Sequence, residues 1–202
     1  MRTVWWQGID DPRRIDKASI SINERTSAPF VAEGVSRTSG YRLDWQLDTG
    51  PGYLTRRLLV SIAGTSATRT LDLLRDENGC WTSHTDEGAA AVIDAVAGAD
   101  DCDLGLCPVT NSMPMLRAIL PGVGSTVDTP GPEHRFLMAW VEVPTLRVLP
   151  SIQLYRLISS SPDGFVVRYT SQQRDFTADL LVDPDGVVID YPQLATRIPD
   201  PG

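Results

Sequence analysis

Lysine is almost missing from this chain: Lys17 is the only one among 18 Lys and Arg residues. Histidine and cysteine are scarce as well, with His84 and His134 in no paired motif and three cysteines, Cys80, Cys102 and Cys107. A structural zinc site draws on two close Cys or His pairs at set spacing, and Cys102-x4-Cys107 with isolated histidines does not supply them. No Gly-x-Ser-x-Gly elbow, glycine-rich phosphate loop or dinucleotide fingerprint occurs. Asp100, Asp101 and Asp103 cluster, but the Gly and Glu of a calcium loop are absent at their positions, so a solvated acidic loop is expected there. Nowhere do 18 apolar residues run together, which excludes a spanning helix. The first residues carry no apolar signal core, so a cytoplasmic protein with reduced thiols is expected. The formal net charge of −8 argues against a nonspecific nucleic-acid or anionic-membrane surface, since both need a cationic face.

What is present is alternation. In Tyr41 to Asp48, Tyr41, Leu43, Trp45 and Leu47 share one face while Arg42, Asp44, Gln46 and Asp48 share the other, the pattern of a strand with one wet side. Strands are also predicted over Ser19–Asn23, Tyr53–Ala63, Arg69–Arg75, Arg135–Val143, Arg147–Ile158, Phe165–Ser171, Asp175–Val182 and Val187–Tyr191. Asp76-Glu77-Asn78-Gly79 and Asp183-Pro184-Asp185-Gly186 read as hairpin turns, with Gly free to take positive φ. The alanine-rich stretch from Glu87 to Gly98 is open between a short helix and an irregular connection. Ten or more short strands with turns between them predict an all-β single domain over residues 1–202. Its expected form is a curved antiparallel sheet, a roll or half-barrel with one or two short helices. A chain of this length buries roughly 70% of its unfolded surface and needs no metal or disulfide to hold it.

Chemistry-bearing residues crowd into Asp101 to Arg117. Thr110 or Asn111 can cap a short helix starting near Ser112, with Pro114 in its first turn and Met115, Leu116, Ile119 and Leu120 covering an apolar face. This segment resembles the signature of the putative glycolipid-binding family of bacterial proteins, through Cys102-Asp103-Leu104, Pro108, Thr110-Asn111, Met113-Pro114 and Arg117. A Trp near the start (Trp5 or Trp6), the Asp76-to-Trp81 hairpin and Tyr191-Pro192-Gln193-Leu194 extend the likeness over most of the chain. Val109, Ser112, Met113, Met115 and Leu116 depart from the family pattern, and only Arg117 keeps a charge where relatives carry paired arginines. The resemblance implies a large antiparallel sheet rolled around a cavity, similar to lipoprotein carriers. It also implies non-catalytic binding of a small amphiphile, a lipid or glycolipid, in the concave face.

On that expectation the polar rim of the ligand site is Asp103, Thr110, Asn111 and Arg117, joined by Trp5 and Arg56. Trp5 and Trp6 are adjacent and so face opposite sides of a strand, while Arg56 falls on the side of Leu58, Val60 and Ile62. Leu43, Trp45, Val60 and Ile152 are expected to line the interior or fill it, and Trp140 to be core. The plainer reading is that Asp103 and Asn111 bond turn backbone and Arg117 pairs an acid. Two other functions stay open. One is a small hydrolase acting on an ester or sugar derivative with His84 or His134 as base; the other is a filled-core protein that acts through a partner surface. No catalytic residue, metal or cofactor is assigned, and nothing in the chain speaks to its oligomeric state.

Overall fold

The computed structural model describes residues 1–64, 68–86, 88–124 and 126–202. Fifteen strands form one large, open, curved sheet. The first half is a meander of β1 (Arg2–Gly8), β2 (Ile15–Ile22), β3 (Phe30–Arg37), β4 (Tyr41–Thr49), β5 (Thr55–Gly64), β6 (Thr68–Arg75), β7 (Trp81–Thr85) and β8 (Gly88–Val92). The second half comprises β9 (Asp101–Leu104), β10 (Glu133–Val141), β11 (Val148–Ser161), β12 (Gly164–Ser171), β13 (Phe176–Val182), β14 (Val188–Tyr191) and β15 (Ala195–Ile198). The halves join where β1 pairs with β15, so β8 and β9, neighbours in the chain, become the two edges of the sheet. Among the described residues every strand pairing is antiparallel except β9 with β10. That pair is parallel because the chain crosses over between Leu104 and Glu133, longer than the dozen residues such a connection needs.

The turns form as their residues dictate. Asp76 Oδ1 accepts the N–H groups of Asn78 and Cys80, and Asp183 Oδ1 those of Asp185 and Val187. Gly79 (φ 80°) and Gly186 (φ 79°) take the left-handed positions that a side chain resists. Trp6 and Trp81 are fully buried and donate their indole N–H to the carbonyls of Val188 (3.0 Å) and Ala99 (2.9 Å). A bulky polar-tipped ring is stable in a core only with such a partner.

The concave face is filled. Val96, Ala99, Cys102, Leu104, Val109 and Met113 pack into the core of the first half, with Trp6, Trp45 and Trp81. Met115 and Ile119 pack into that of the second half, with Tyr155, Tyr169 and Tyr191. One continuous segment therefore plugs both halves. Edge strand β9 is covered on both faces, as parallel strands usually are. The first residue of β5 clasps it: Thr55 N–H donates to Asp100 O (3.1 Å), and Cys102 N–H donates to Thr55 Oγ1 (3.0 Å).

Four expectations are corrected here. The Asp101–Leu104 segment is a buried strand and not a solvated loop, because its two-residue period sends Asp101 and Asp103 into one core and Cys102 and Leu104 into the other. Gly88–Val92 of the alanine-rich stretch is a strand with every residue exposed, paired to β7, and tertiary pairing overrides its helix propensity. Glu87, which opens that stretch, lies outside the described residues. The short helix starts earlier than Ser112. A tight turn over Pro108–Asn111 precedes Ser112–Pro114, and a wide turn over Met115–Ile119 ends with Leu120 N–H bonded to Met115 O at 2.9 Å. Neither Thr110 nor Asn111 caps it: both already lie inside the first turn, which Pro108 opens, its missing N–H costing nothing there.

Arg56 is the fourth. Thr49 pairs with Thr55 and Asp48 with Arg57, so Arg56 is the extra residue of a β-bulge and is exposed. The bulge breaks the alternation that would have turned it inward. Arg56→Ala is expected to change unfolding free energy by no more than about 0.5 kcal/mol, read from urea melts.

Candidate functional site

Three of the expected rim residues, Asp103, Thr110 and Asn111, meet in one buried network where the plug packs on the sheet. The Thr110 hydroxyl donates to Asp103 Oδ1 (2.9 Å), and Gln153 Nε2 donates to Asp103 Oδ2 (2.6 Å). The Tyr155 hydroxyl stands 2.9 Å from both Gln153 Oε1 and Asn111 Oδ1, able to donate to either. Asp103, Thr110, Asn111, Gln153 and Tyr155 are all buried. Burial pushes the Asp103 carboxyl up, against the pull of the Arg174 charge and the two donors, and holds the Tyr155 hydroxyl well above its ordinary value. Arg174 caps this network from the β12–β13 turn, donating to Tyr169 Oη (2.6 Å) and lying 5.4 Å from the Trp140 ring. Trp140 is only partly covered, and its indole N–H has no partner.

Arg117 belongs to a different contact. Its Nη1 and Nη2 donate to Asp101 Oδ1 (2.8 Å) and Oδ2 (2.6 Å), and its guanidinium sits 5.5 Å from the Phe136 ring. Burial works against the Arg117 charge, yet the bidentate bonds to Asp101 outweigh it and hold the guanidinium protonated. The residue pairs an acid inside the protein and is not presented at a rim.

None of the three cysteines is in a disulfide. Burial pushes the Cys107 thiol up to about 12 and raises that of Cys102 further. His84 is exposed on β7, and His134 stacks on Phe136 at 6.3 Å. Among the described residues neither histidine bonds a serine or cysteine, and no three His, Cys, Asp or Glu side chains converge as metal ligands.

Two spaces bear first on where a ligand could sit. The enclosed one, lined by Trp6, Leu43, Trp45, Leu104, Cys107 and Val109 among others, has a volume of about 20 Å³, enough for about one water. The other is a groove of about 410 Å³ on the outer face of β2–β5. Its walls are Lys17, Ser19, Glu33, Asp44, Gln46 and Ser61, and its apolar surface comes from Val35, Leu59, Gly34 and Trp45. Gly34 is required where it stands, since a Cβ would lie 2.5 Å from the Trp45 ring and 2.6 Å from Lys17 O. A missing side chain on β3 thus lets the large ring of β4 cross beneath it. Trp5 faces outward beside this groove, its ring 4.7 Å from the Lys17 ammonium, while Trp6 faces the core, as their adjacency predicts.

The groove residues carry no distinguishing signal in the sequence, because alternating polar residues on a strand look like any wet face. Gln153 carried a usable signal: it is a polar residue at an inward position of the Ser151-Gln153-Tyr155-Leu157 series.

Comparison with known proteins adds three findings. A family model described as "Putative glycolipid-binding" matches residues 3–197. A crystal structure of a DUF1089 family protein from Pseudomonas aeruginosa is similar at 25% identity and a TM-score of 0.63, over 98% of this chain and 94% of that one. No curated protein matches.

Proposed function

This chain belongs to the putative glycolipid-binding family, and from that premise we propose that it reads the sugar headgroup of a glycolipid in the outer-face groove of β2–β5. The observation that carries the reading is the groove itself. At about 410 Å³ it is within the usual range of small-molecule sites, roughly 300–1,000 Å³. A sugar ring presents C–H faces and hydroxyl edges together. Val35 and Leu59 offer apolar surface to the first, and Glu33, Asp44, Gln46, Ser19 and Ser61 offer hydrogen-bond partners to the second. The acyl chains stay in the bilayer, because the interior void of about 20 Å³ cannot admit one while the plug is seated.

A concave-face site is the second reading, favoured by two buried polar atoms without partners, Ser112 Oγ on the plug and Trp140 Nε1 on β10. It demands that residues 108–119 leave the interior.

One experiment separates the two. Flotation with phosphatidylcholine vesicles containing monogalactosyl diacylglycerol is expected to capture the protein, and vesicles without it are not. Ser61→Trp, which fills the groove with a strand-favouring side chain, is expected to weaken capture about tenfold, or 1.4 kcal/mol. Capture indifferent to Ser61→Trp, with faster amide exchange across residues 108–119, would move the ligand to the concave face. Absence of capture by any glycolipid vesicle would overturn both.

A further inference from the structure

The outer groove continues past Lys17 and Val35 into a second hollow of about 310 Å³, lined by Trp5, Ile15, Lys17, Val35, Arg37 and Arg42. The two hollows share Lys17 and Val35 as a common wall, yet their chemistry differs. The first carries the carboxylates Glu33 and Asp44; the second carries three cations and no acid.

The sheet register explains how the cations meet. Trp5 pairs with Lys17, Lys17 with Val35 and Ile15 with Arg37, while Arg37 stands directly opposite Arg42. Like charges directly opposed across strands destabilise a sheet. Arg42 is compensated by Asp44, to which its Nε donates at 2.7 Å. Among the described residues, Arg37 and Lys17 have no acidic partner within ion-pair distance, and the Lys17 ammonium rests over the Trp5 ring instead. Asp16, the nearest acid along β2, is buried on the opposite face. In a chain of net charge −8, two cations without an acidic partner thus line one hollow together.

We propose that this strip is an anion subsite, taking a sulfonate, phosphate or carboxylate borne by the ligand whose sugar lies in the adjoining hollow. The inference rests on the reading of that hollow as the sugar site. Guanidinium groups hold such oxyanions through two parallel N–H bonds, and Arg37 is the free guanidinium at the position to do so. Trp5, Ile15 and Val35 supply apolar flanks that lower the local dielectric and strengthen the contact. The anion would also relieve the Arg37–Arg42 repulsion. The preferred ligand is therefore a sugar carrying an acidic group over the same sugar without one.

The test compares three phosphatidylcholine vesicle preparations at equal mole fraction of guest lipid: sulfoquinovosyl diacylglycerol, monogalactosyl diacylglycerol and phosphatidylglycerol. The wild-type protein is expected to bind the sulfonated glycolipid about tenfold more tightly than the neutral one, the order a single charge-assisted bond supplies. Added salt is expected to shrink that ratio. Arg37→Gln, at an exposed position that leaves thermal unfolding as a control, is expected to bring the ratio close to one. Equal binding of the two glycolipids by the wild type would overturn the anion subsite and leave the sugar site standing. Phosphatidylglycerol bound as tightly as the sulfonated glycolipid would show that charge alone is read, and would overturn it too. Binding to none of the three would remove the sugar site and this subsite with it.

Discussion

Arg117→Met is expected to destabilise the protein by about 3–5 kcal/mol at neutral pH, the cost of leaving one partner of a buried ion pair behind. Asp101 is fully inaccessible, and both its carboxylate oxygens depend on Arg117. Methionine replaces much of the side-chain volume, so the loss reads charge and hydrogen bonding more than packing. Burial already pushes the Asp101 carboxyl up, and Arg117 is the main force holding it down. Without Arg117 the folded-state pKa rises further above the unfolded value of about 3.9. A group raised in the folded state contributes stability that is fully present below its unfolded pKa and lost as pH rises through the folded one. The deficit of the variant is therefore expected to be small near pH 4 and to grow toward pH 7. Urea melts at several pH values measure this. A pH-independent deficit would mean that Arg117 works through its contact with Phe136 and not through Asp101.

The double variant Asp101→Asn/Arg117→Met removes the stranded charge and is expected to recover part of the loss. The same pair tests what the sequence resemblance implied for Arg117. If the residue served a ligand headgroup, the double variant would fold and fail to bind. Since its guanidinium is taken up by Asp101, the double variant is expected to be captured by glycolipid vesicles as the wild type is.

The strands that were legible in the sequence are those with one wet face and a well-marked turn. β4 shows it, with Leu43, Trp45 and Leu47 inward, and so do the hairpins at Asp76–Gly79 and Asp183–Gly186. Local pattern failed where the deciding partner is far away in the chain. Asp101-Cys102-Asp103-Leu104 looks like a loop until β10 covers one edge, and only then do both faces find a core. Arg56 could not be placed from alternation because the bulge that displaces it is a property of the β4–β5 pair. Asp103 and Gln153 stand 50 residues apart in the chain, and their bond is a matter of tertiary register. The outer groove was illegible for a related reason. Its walls come from four strands, and its shape depends on Gly34 admitting Trp45, a contact between β3 and β4 that neither strand announces alone.

Asp103→Asn is expected to raise the stability of the protein at pH 7 by about 1–3 kcal/mol, the cost of one unsatisfied buried acceptor. The reason is a count of protons. With Asp103 ionised, Thr110 and Gln153 both donate to it, which fixes the Gln153 amide oxygen toward Tyr155. Tyr155 then has one proton for two acceptors, Gln153 Oε1 and Asn111 Oδ1, each 2.9 Å away. Turning the Asn111 amide over trades that shortage for two oxygens 3.4 Å apart, because its nitrogen now faces Pro108 O. A neutral group at position 103 completes the chain. Its N–H or O–H donates to Gln153 Oε1, the reversed Gln153 amide donates to Tyr155, and Tyr155 donates to Asn111. The raised pKa of Asp103 agrees with this, since burial favours the neutral form. By the same sign rule, the wild type has the full benefit below the unfolded value of about 3.9 and loses it as pH rises through the folded one. The curves of wild type and Asp103→Asn are therefore expected to converge toward pH 4 and to separate above it. A less stable Asp103→Asn at pH 7 would show instead that the carboxylate is held charged by Arg174, Thr110 and Gln153. The variant also assigns the residue. More stable and still captured by glycolipid vesicles, it places Asp103 in the fold; more stable and no longer captured, it returns Asp103 to the ligand and the site to the concave face.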